Sequence, residues 1–255
     1  LPKICSMPNA VVVIPTYNEA DNIKRLLRTV FSLQRDFEVL VVDDNSPDGT
    51  GQIVEELMLT YPDRLHLLKR KKKTGLGTAY IAGFKWALHR GYKFIFEMDA
   101  DFSHNPNDLI RLYNACYKDG FDMAIGSRYV RGVNVVNWPM DRVLMSWGAS
   151  KYVRFITGMD IYDTTAGFVC YKREVLEKIN LDNIRFVGYA FQIEMKFKAF
   201  LKKFKIKEIP VIFTDRTKGE SKMSSGIISE AIFGVIKMKF KSVFGRRKFE
   251  KTSFN

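Results

Sequence analysis

Cysteine and histidine are both scarce: the 255 residues include three of each. Cys5, Cys116 and Cys170 are scattered and form no CxxC pair. That excludes a disulfide scaffold and a zinc knuckle, and it suggests a reducing compartment. No run approaches about 18 uninterrupted apolar residues, so no transmembrane helix is expected. Leu1 to Ala10 lacks a basic start followed by an apolar stretch and does not read as a signal peptide. GxGxxG is missing, which argues against the usual dinucleotide fold. GxxxxGK followed by Ser or Thr is missing too, which argues against a P-loop. There is no internal repeat, no low-complexity segment and no clear linker, so one domain is expected. With 46% hydrophobic and 27% charged residues, the chain is an ordinary globular one, not disordered, collagenous or coiled coil.

Charge is present in excess, and unevenly. Residues 1–195 hold 25 basic and 23 acidic side chains, whereas residues 196–255 hold 16 and 5. Most of the net charge of +13 therefore lies in the last 60 residues. Such a tail suits a nucleic acid, an anionic membrane surface, an acidic partner, or simply a solvated exterior.

Hydrophobic patterning predicts strands over 11–14, 37–42, 65–68, 93–98 and 122–126. Helices fall between them. The first has Ile23, Leu26, Leu27, Val30 and Phe31 at helical spacing, the second begins with Ile53, Val54 and Leu57, the third runs to about His89 and the fourth from Pro106 to Tyr117. This fivefold alternation predicts an α/β fold with a mostly parallel central sheet flanked by helices. Ligands in such sheets sit beyond the carboxyl ends of the strands, where the polar groups 15–19, 43–50 and 99–104 fall. Beyond these, helices are predicted over 139–157, 189–202 and 227–244. Strands are predicted over 169–171 and 206–213, and a polar loop over 214–225.

Asp99-Ala100-Asp101 is the sharpest chemical signal. Two carboxylates two residues apart, leaving a strand for a turn, can converge on one hard divalent cation such as Mg2+ or Mn2+. Ser103 can add a hydroxyl. The alternative is an Asx turn capping the next helix. Asp43-Asp44 either meets a base or ribose or opens the turn before Pro47 and Gly49. In Pro15-Thr16-Tyr17-Asn18-Glu19, Tyr17 can pack on a base and Glu19 can contact a sugar nucleotide, or the segment is a helix entry with acid near its positive end. Gly75-Leu76-Gly77 reads as helix-entry geometry. Arg128, Arg142, Arg216, Lys218 and Lys222 are phosphate binders or surface charges. His104 is near the acidic motif and caps a helix or takes part in chemistry.

The ordered set is more specific than any member. Residues 13–19 (VIPTYNE), 42–50 (VDDNSPDGT), 75–80 (GLGTAY) and 98–104 (MDADFSH) together resemble the inverting family 2 glycosyltransferases. Among them the set is similar to the dolichol-phosphate and polyprenol-phosphate mannosyltransferases. Residues 126–129 (GSRY), 163–168 (DTTAGF), 188–195 (GYAFQIEM) and 215–222 extend the resemblance to roughly 10–225.

The resemblance implies a GT-A fold, with 1–225 as catalytic domain and 226–255 as a basic amphipathic C-terminal helix and tail of the same domain. It implies GDP-mannose as donor and dolichyl or polyprenyl phosphate as acceptor. Pro15, Tyr17, Glu19, Val42 and Asp44 would hold the guanosine side. Asp99, Ala100 and Asp101 would hold diphosphate and metal, with Ser103 where some relatives place glutamine. Arg128, Arg142 and Ser146 would receive the acceptor phosphate, and Arg216 and Lys222 belong to a loop closing over the donor. Asp101, Arg128 and Arg142 are the expected catalytic residues.

An acceptor phosphomonoester is already a nucleophile, so no strong protein base is required. Ile227, Ile228, Ala231, Ile232, Val235 and Ile236, with the cations after them, suit either an interfacial helix on an anionic bilayer or a helix docked on the protein's own core. The expectation is a peripheral enzyme on the cytoplasmic face of a membrane, with no nucleic-acid partner and no protein partner that the sequence identifies. A polyprenyl-phosphate glucosyltransferase, or another family 2 enzyme, is the alternative chemistry. A nucleic-acid-binding protein using the tail is the non-enzyme alternative, and it leaves the acidic strand ends unexplained.

Overall fold

The computed structural model describes residues 10–188, 190–215 and 233–242. The first half alternates as the patterning predicts: β1 (Ala10–Thr16), α1 (Ala20–Phe31), β2 (Glu38–Asp43), α2 (Thr50–Thr60), β3 (Leu65–Lys69), α3 (Leu76–His89), β4 (Phe94–Glu97), α4 (Asp108–Tyr117) and β5 (Met123–Ser127). The second half has β6 (Val135–Val136), α5 (Met140–Thr157), β7 (Val169–Lys172), α6 (Arg173–Ile179), α7 (Ala190–Leu201), β8 (Ile206–Pro210) and β9 (Phe213–Thr214). Residues 233–242 are helical and are called α8 here.

Seven strands form one sheet in the order β3-β2-β1-β4-β7-β5-β8. The strands of its centre are apolar on both faces, as a sheet covered on both sides requires. In β1, Val11 and Val13 point into one core, and Ala10, Val12 and Ile14 into the other. Helices α1, α2 and α4 cover the second face, whereas α3, α5, α6, α7 and α8 contribute to the first. β2 and β4 pair with opposite edges of β1, so the strand order turns back there and leaves a crevice beyond the carboxyl ends.

Three details depart from the patterning. β7 runs antiparallel to both β4 and β5, so its leading segment, residues 163–168, arrives at the sheet end where β1, β2, β4 and β5 finish. The expected strand 206–213 is broken: β8 stops at Pro210, and Phe213–Thr214 pairs instead with β6 in a second, two-stranded sheet. The helix entry at 75–77 is real, with Gly75 at φ +109°, but Gly77 has a further duty. A Cβ on Gly77 would lie 2.8 Å from the Phe191 ring, so the glycine lets α3 and α7 approach closely.

The described part of the C-terminal helix divides its apolar residues. Val235 is buried, Met238 packs on the same core and Lys239 Nζ donates to the Thr157 carbonyl at 2.9 Å. Phe233 and Phe240 face outward. Residues 227–232, and the cations beyond 242, lie outside the described residues.

Gly83 sets the seating of α3, because a Cβ there would collide with Val13 of β1. Gly83→Ala is therefore expected to lower unfolding free energy by about 1–3 kcal/mol through overpacking. Urea denaturation checks it.

Candidate active site

The loops after β1 and β2 are stitched to each other. Asp43 is buried; its Oδ1 accepts the Thr16 hydroxyl at 2.9 Å and the Ser46 hydroxyl at 2.6 Å, and its Oδ2 accepts Ser46 N–H at 3.0 Å. Ser46 Oγ accepts Asn18 N–H at 3.1 Å, and Thr50 Oγ1 accepts Glu19 N–H at 3.0 Å. Asp48 closes the set by accepting Ala20 N–H at 3.0 Å. Of the two neighbouring aspartates, Asp43 is thus the turn former. Asp44 points elsewhere: it is buried, with Arg70 Nη1 at 3.3 Å from its Oδ1. Burial holds its carboxyl above the usual value, against the pull of Arg70. Arg70 is itself held by Thr74 and by Thr78 at the start of α3.

Of the other residues expected on the guanosine side, Pro15 and Tyr17 are half-buried, with Lys73 4.3 Å from the Tyr17 ring centre. Glu19 Oε2 accepts Asn22 Nδ2 at 3.0 Å. Val42 is wholly buried in the α3-side core, where a Cβ on Gly83 would meet it. Arg216, Lys218 and Lys222 lie outside the described residues.

β4 delivers the acidic pair. Phe94, Phe96 and Met98 face the α4 side, and Ile95 faces the α3 side. Glu97 and Asp99 continue the alternation begun by Ile95. Asp99 Oδ1 accepts the Tyr80 hydroxyl at 3.0 Å, and Tyr80 stacks on Phe191 of α7 with ring centres 6.0 Å apart. Glu97 accepts Tyr171 at 3.0 Å and Gln192 at 2.6 Å, and burial pushes its carboxyl up to about 7. Buried Lys196 stands beside Gln192; its Nζ donates to the Ala166 carbonyl at 2.6 Å, and burial brings it down to about 8.

Asp101 Oδ1 accepts Ser103 N–H at 3.0 Å, an Asx turn, but it does not cap the next helix as the alternative had it, since α4 begins at Asp108 after Asn107. Ala100 is buried in the α4-side core. The turn contains Phe102 at φ +60°, a left-handed conformation that a bulky residue adopts at a cost. Ser103 Oγ is buried and has no hydrogen-bond partner among the described residues. His104 packs flat on Phe168 with ring centres 4.9 Å apart and accepts Asp99 N–H on Nδ1 at 3.5 Å. Burial brings it down to about 4, so it is neutral and structural. Among the described residues, no group of three or more His, Cys, Asp or Glu could hold a metal ion. Two carboxylates and an unpartnered buried hydroxyl nevertheless suit a hard cation that shares its coordination with substrate phosphate oxygens.

Arg128 follows β5 and is buried against Asp163. Asp163 accepts Arg128 Nη2 at 2.6 Å, Nε at 2.7 Å and N–H at 2.9 Å, and Thr165 accepts Nη2 at 2.8 Å. Burial pushes the Asp163 carboxyl up, but Arg128 outweighs it and the group stays below its ordinary value. Arg142, in the first turn of α5, lies 4.1 Å over Trp138 and donates to Asp215 at 2.9 Å. Ser146, one turn on, faces the Tyr129 hydroxyl. The Trp138 ring also lies 5.4 Å from the Arg128 guanidinium, so one indole borders both arginines.

Residues 11–180 match the family described as Glycosyl transferase family 2. The chain belongs to that family. It is 49% identical over 225 residues to the polyprenol monophosphomannose synthase of Mycolicibacterium smegmatis, covering 88% of this chain and 84% of that one. It is 44% identical over 225 residues to the undecaprenyl-phosphate mannosyltransferase of Micrococcus luteus, covering 88% and 91%. Among solved structures, the mannosyltransferase PcManGT of Pyrobaculum calidifontis in complex with GDP-Man and Mn2+ superposes with a TM-score of 0.58 at 19% identity, over 96% of this chain and 66% of that one. That likeness shows the shared GT-A fold of this glycosyltransferase.

Reading the sequence residue by residue missed Tyr80, Glu97, Asp163 and Lys196 as parts of the site. Tyr80 and Asp163 stood inside quoted motifs; Glu97 and Lys196 gave no signal beyond being charges in apolar runs. If Asp43 holds the first two loops together, Asp43→Ala should lower unfolding free energy by about 1–3 kcal/mol. Chemical denaturation followed by circular dichroism reads this.

Proposed function

We propose that the chain transfers mannose from GDP-mannose to dolichyl or another polyprenyl phosphate, inverting the anomeric centre. The observation that carries this reading is the opposition of charges at one end of the sheet. Asp99 and Asp101 follow β4; Arg128 and Arg142 follow β5 and open α5. The names of the two close relatives supply the mannosyl and polyprenyl-phosphate chemistry.

Pro15, Tyr17, Glu19, Val42 and Asp44 form the guanosine side, and Ala100 lies between the two aspartates. Asp99 and Asp101, with Ser103 Oγ, would hold Mg2+ or Mn2+, which neutralises charge on the diphosphate when bound. Tyr80 fixes one Asp99 oxygen and so its orientation. Arg128, Arg142 and Ser146 draw in the acceptor phosphate and aim one oxygen at the sugar C1. That oxygen forms the new C1–O bond on one face as the bond to GDP breaks on the other. The phosphate needs no proton removed, which suits a site whose nearby histidine is buried and neutral. Arg216 and Lys222 remain assigned to a loop over the donor.

We place the enzyme at an anionic membrane surface, on the cytoplasmic face. Among the described residues no helix is long and apolar enough to cross a membrane. Support for surface contact comes from α5, which exposes Met140, Leu144, Trp147 and Phe155 and carries Lys151 over Trp147 at 3.7 Å. Apolar side chains with cations beside them suit a headgroup boundary. The outward Phe233 and Phe240 of α8 extend the same chemistry.

Radiolabelled GDP-mannose is expected to label a short polyprenyl phosphate, with chelator abolishing transfer and UDP-glucose giving none. Transfer from UDP-glucose alone would favour the glucosyl alternative. Asp101→Asn should lose at least about 10²-fold in rate; turnover near wild type would end the metal assignment. Tyr80→Phe should weaken divalent-ion affinity about 10-fold, read as a rise in the Mn2+ concentration giving half-maximal activity.

A further inference from the structure

We infer that Glu208 of β8 is a positioning residue that sets the direction of the Arg128 guanidinium. The inference rests on the reading of Arg128 as a binder of the acceptor phosphate.

Glu208 lies on the edge strand, in register with Ile125 of β5. Its Oε2 accepts Tyr162 N–H at 2.7 Å, and its Oε1 accepts Asp163 N–H at 2.9 Å. The Ser127 hydroxyl donates to it as well. Ser127 precedes Arg128, and Asp163 is the partner of Arg128. One carboxylate therefore grips the chain on both sides of the buried ion pair.

The geometry makes this grip directional. Asp163 and Thr165 hold the guanidinium by its Nε–Nη2 edge. A planar fork held by one edge has its other edge fixed in direction. Asp163 can hold that edge only while its own main chain stays in place. Residues 158–168 form no helix or strand, and they reach the site from the start of β7. Two adjacent main-chain N–H groups of this loop, those of Tyr162 and Asp163, end on Glu208. Ser127 adds a third tie: its Oγ accepts Tyr129 and Val130 N–H at 3.3 and 3.2 Å while its proton goes to Glu208. The segment carrying Arg128 and the loop carrying Asp163 are thus referenced to one point on β8. A shift of Glu208 would move both, and the arginine fork with them.

Glu208→Gln keeps the volume but puts an amide NH2 where one of the two loop N–H groups needs an acceptor. It is expected to raise KM for a short polyprenyl phosphate about 10-fold to 100-fold, as small misplacements of a binding group do. KM for GDP-mannose and the Mn2+ dependence should stay at their wild-type values. In an Arg128→Ala background, Glu208→Gln should add no further rise in acceptor KM. A merely structural role would lower thermal stability or kcat without this split, and equally in both backgrounds; that result would overturn the inference. A folded Glu208→Gln with wild-type acceptor KM would overturn it too. If Glu208→Gln does not fold, Ser127→Ala, which removes the contact to Glu208 together with the bonds from Tyr129 and Val130 N–H, should give an acceptor-specific rise absent in the Arg128→Ala background; an unchanged acceptor KM there would count against the inference. Arg128→Ala with wild-type acceptor KM would instead overturn the acceptor reading of Arg128, and the inference with it.

Discussion

Asp99 and Asp101 leave β4 two residues apart, and each brings negative charge to the place where the proposed reaction would also bring a diphosphate and a phosphomonoester. Their repulsion, for each other and for the substrates, is the constraint around which the neighbourhood is arranged. Tyr80 takes one oxygen of Asp99, and the Ser103 N–H takes one of Asp101. Neither donor carries charge, so neither neutralises the pair. The buried cation behind them, Lys196, is directed to Ala166 and Gln192. The negative potential is thus kept toward the crevice, where a divalent ion is needed in the proposed reaction.

The opposite problem arises at Arg128. Burying a guanidinium costs several kcal/mol unless its hydrogen bonds are met, and Asp163 with Thr165 meets them along one edge. Removal of Asp163 alone would leave a buried cation without its partner, so the pair stands or falls together. Arg142 is solved differently. It is half-exposed, rests on Trp138 and reaches Asp215, the last described residue before the loop assigned to the donor.

Much of the donor half was legible from sequence because its physics is local. Apolar runs of four to six residues ending in Pro15, Asp43 and Asp99 announce strands and their carboxyl ends, and Asn18 and Asn45 supply left-handed turns there. The acidic motif was legible for the same reason. The second half was harder, since its decisive facts are pairings. Nothing in VCYK reveals that β7 runs antiparallel, or that Phe213–Thr214 leaves the main sheet to join β6. Glu97, Lys196 and Glu208 read as charges within apolar segments; only their distant partners give them meaning. The C-terminal helix shows the limit of pattern alone, because an apolar stripe does not say what covers it. In the described turns Val235 faces the core and Phe233 faces outward.

The reversal of β7 has a consequence for how such a scaffold can diversify. In the proposed reading the parallel strands β1, β2 and β4 carry the nucleotide side; α1 joins β1 to β2, and α2, β3 and α3 lead from β2 to β4. The segment 158–168 enters from the opposite direction and meets that side at Gly167, near Asp99, and at Phe168, on which His104 packs. Under the proposed reading, exchanges at Asp163 and Thr165 would reshape the grip on an incoming anion, whereas those at Gly167 and Phe168 would also disturb the loop that follows β4. One lineage of chains could in this way change recipients and keep its currency.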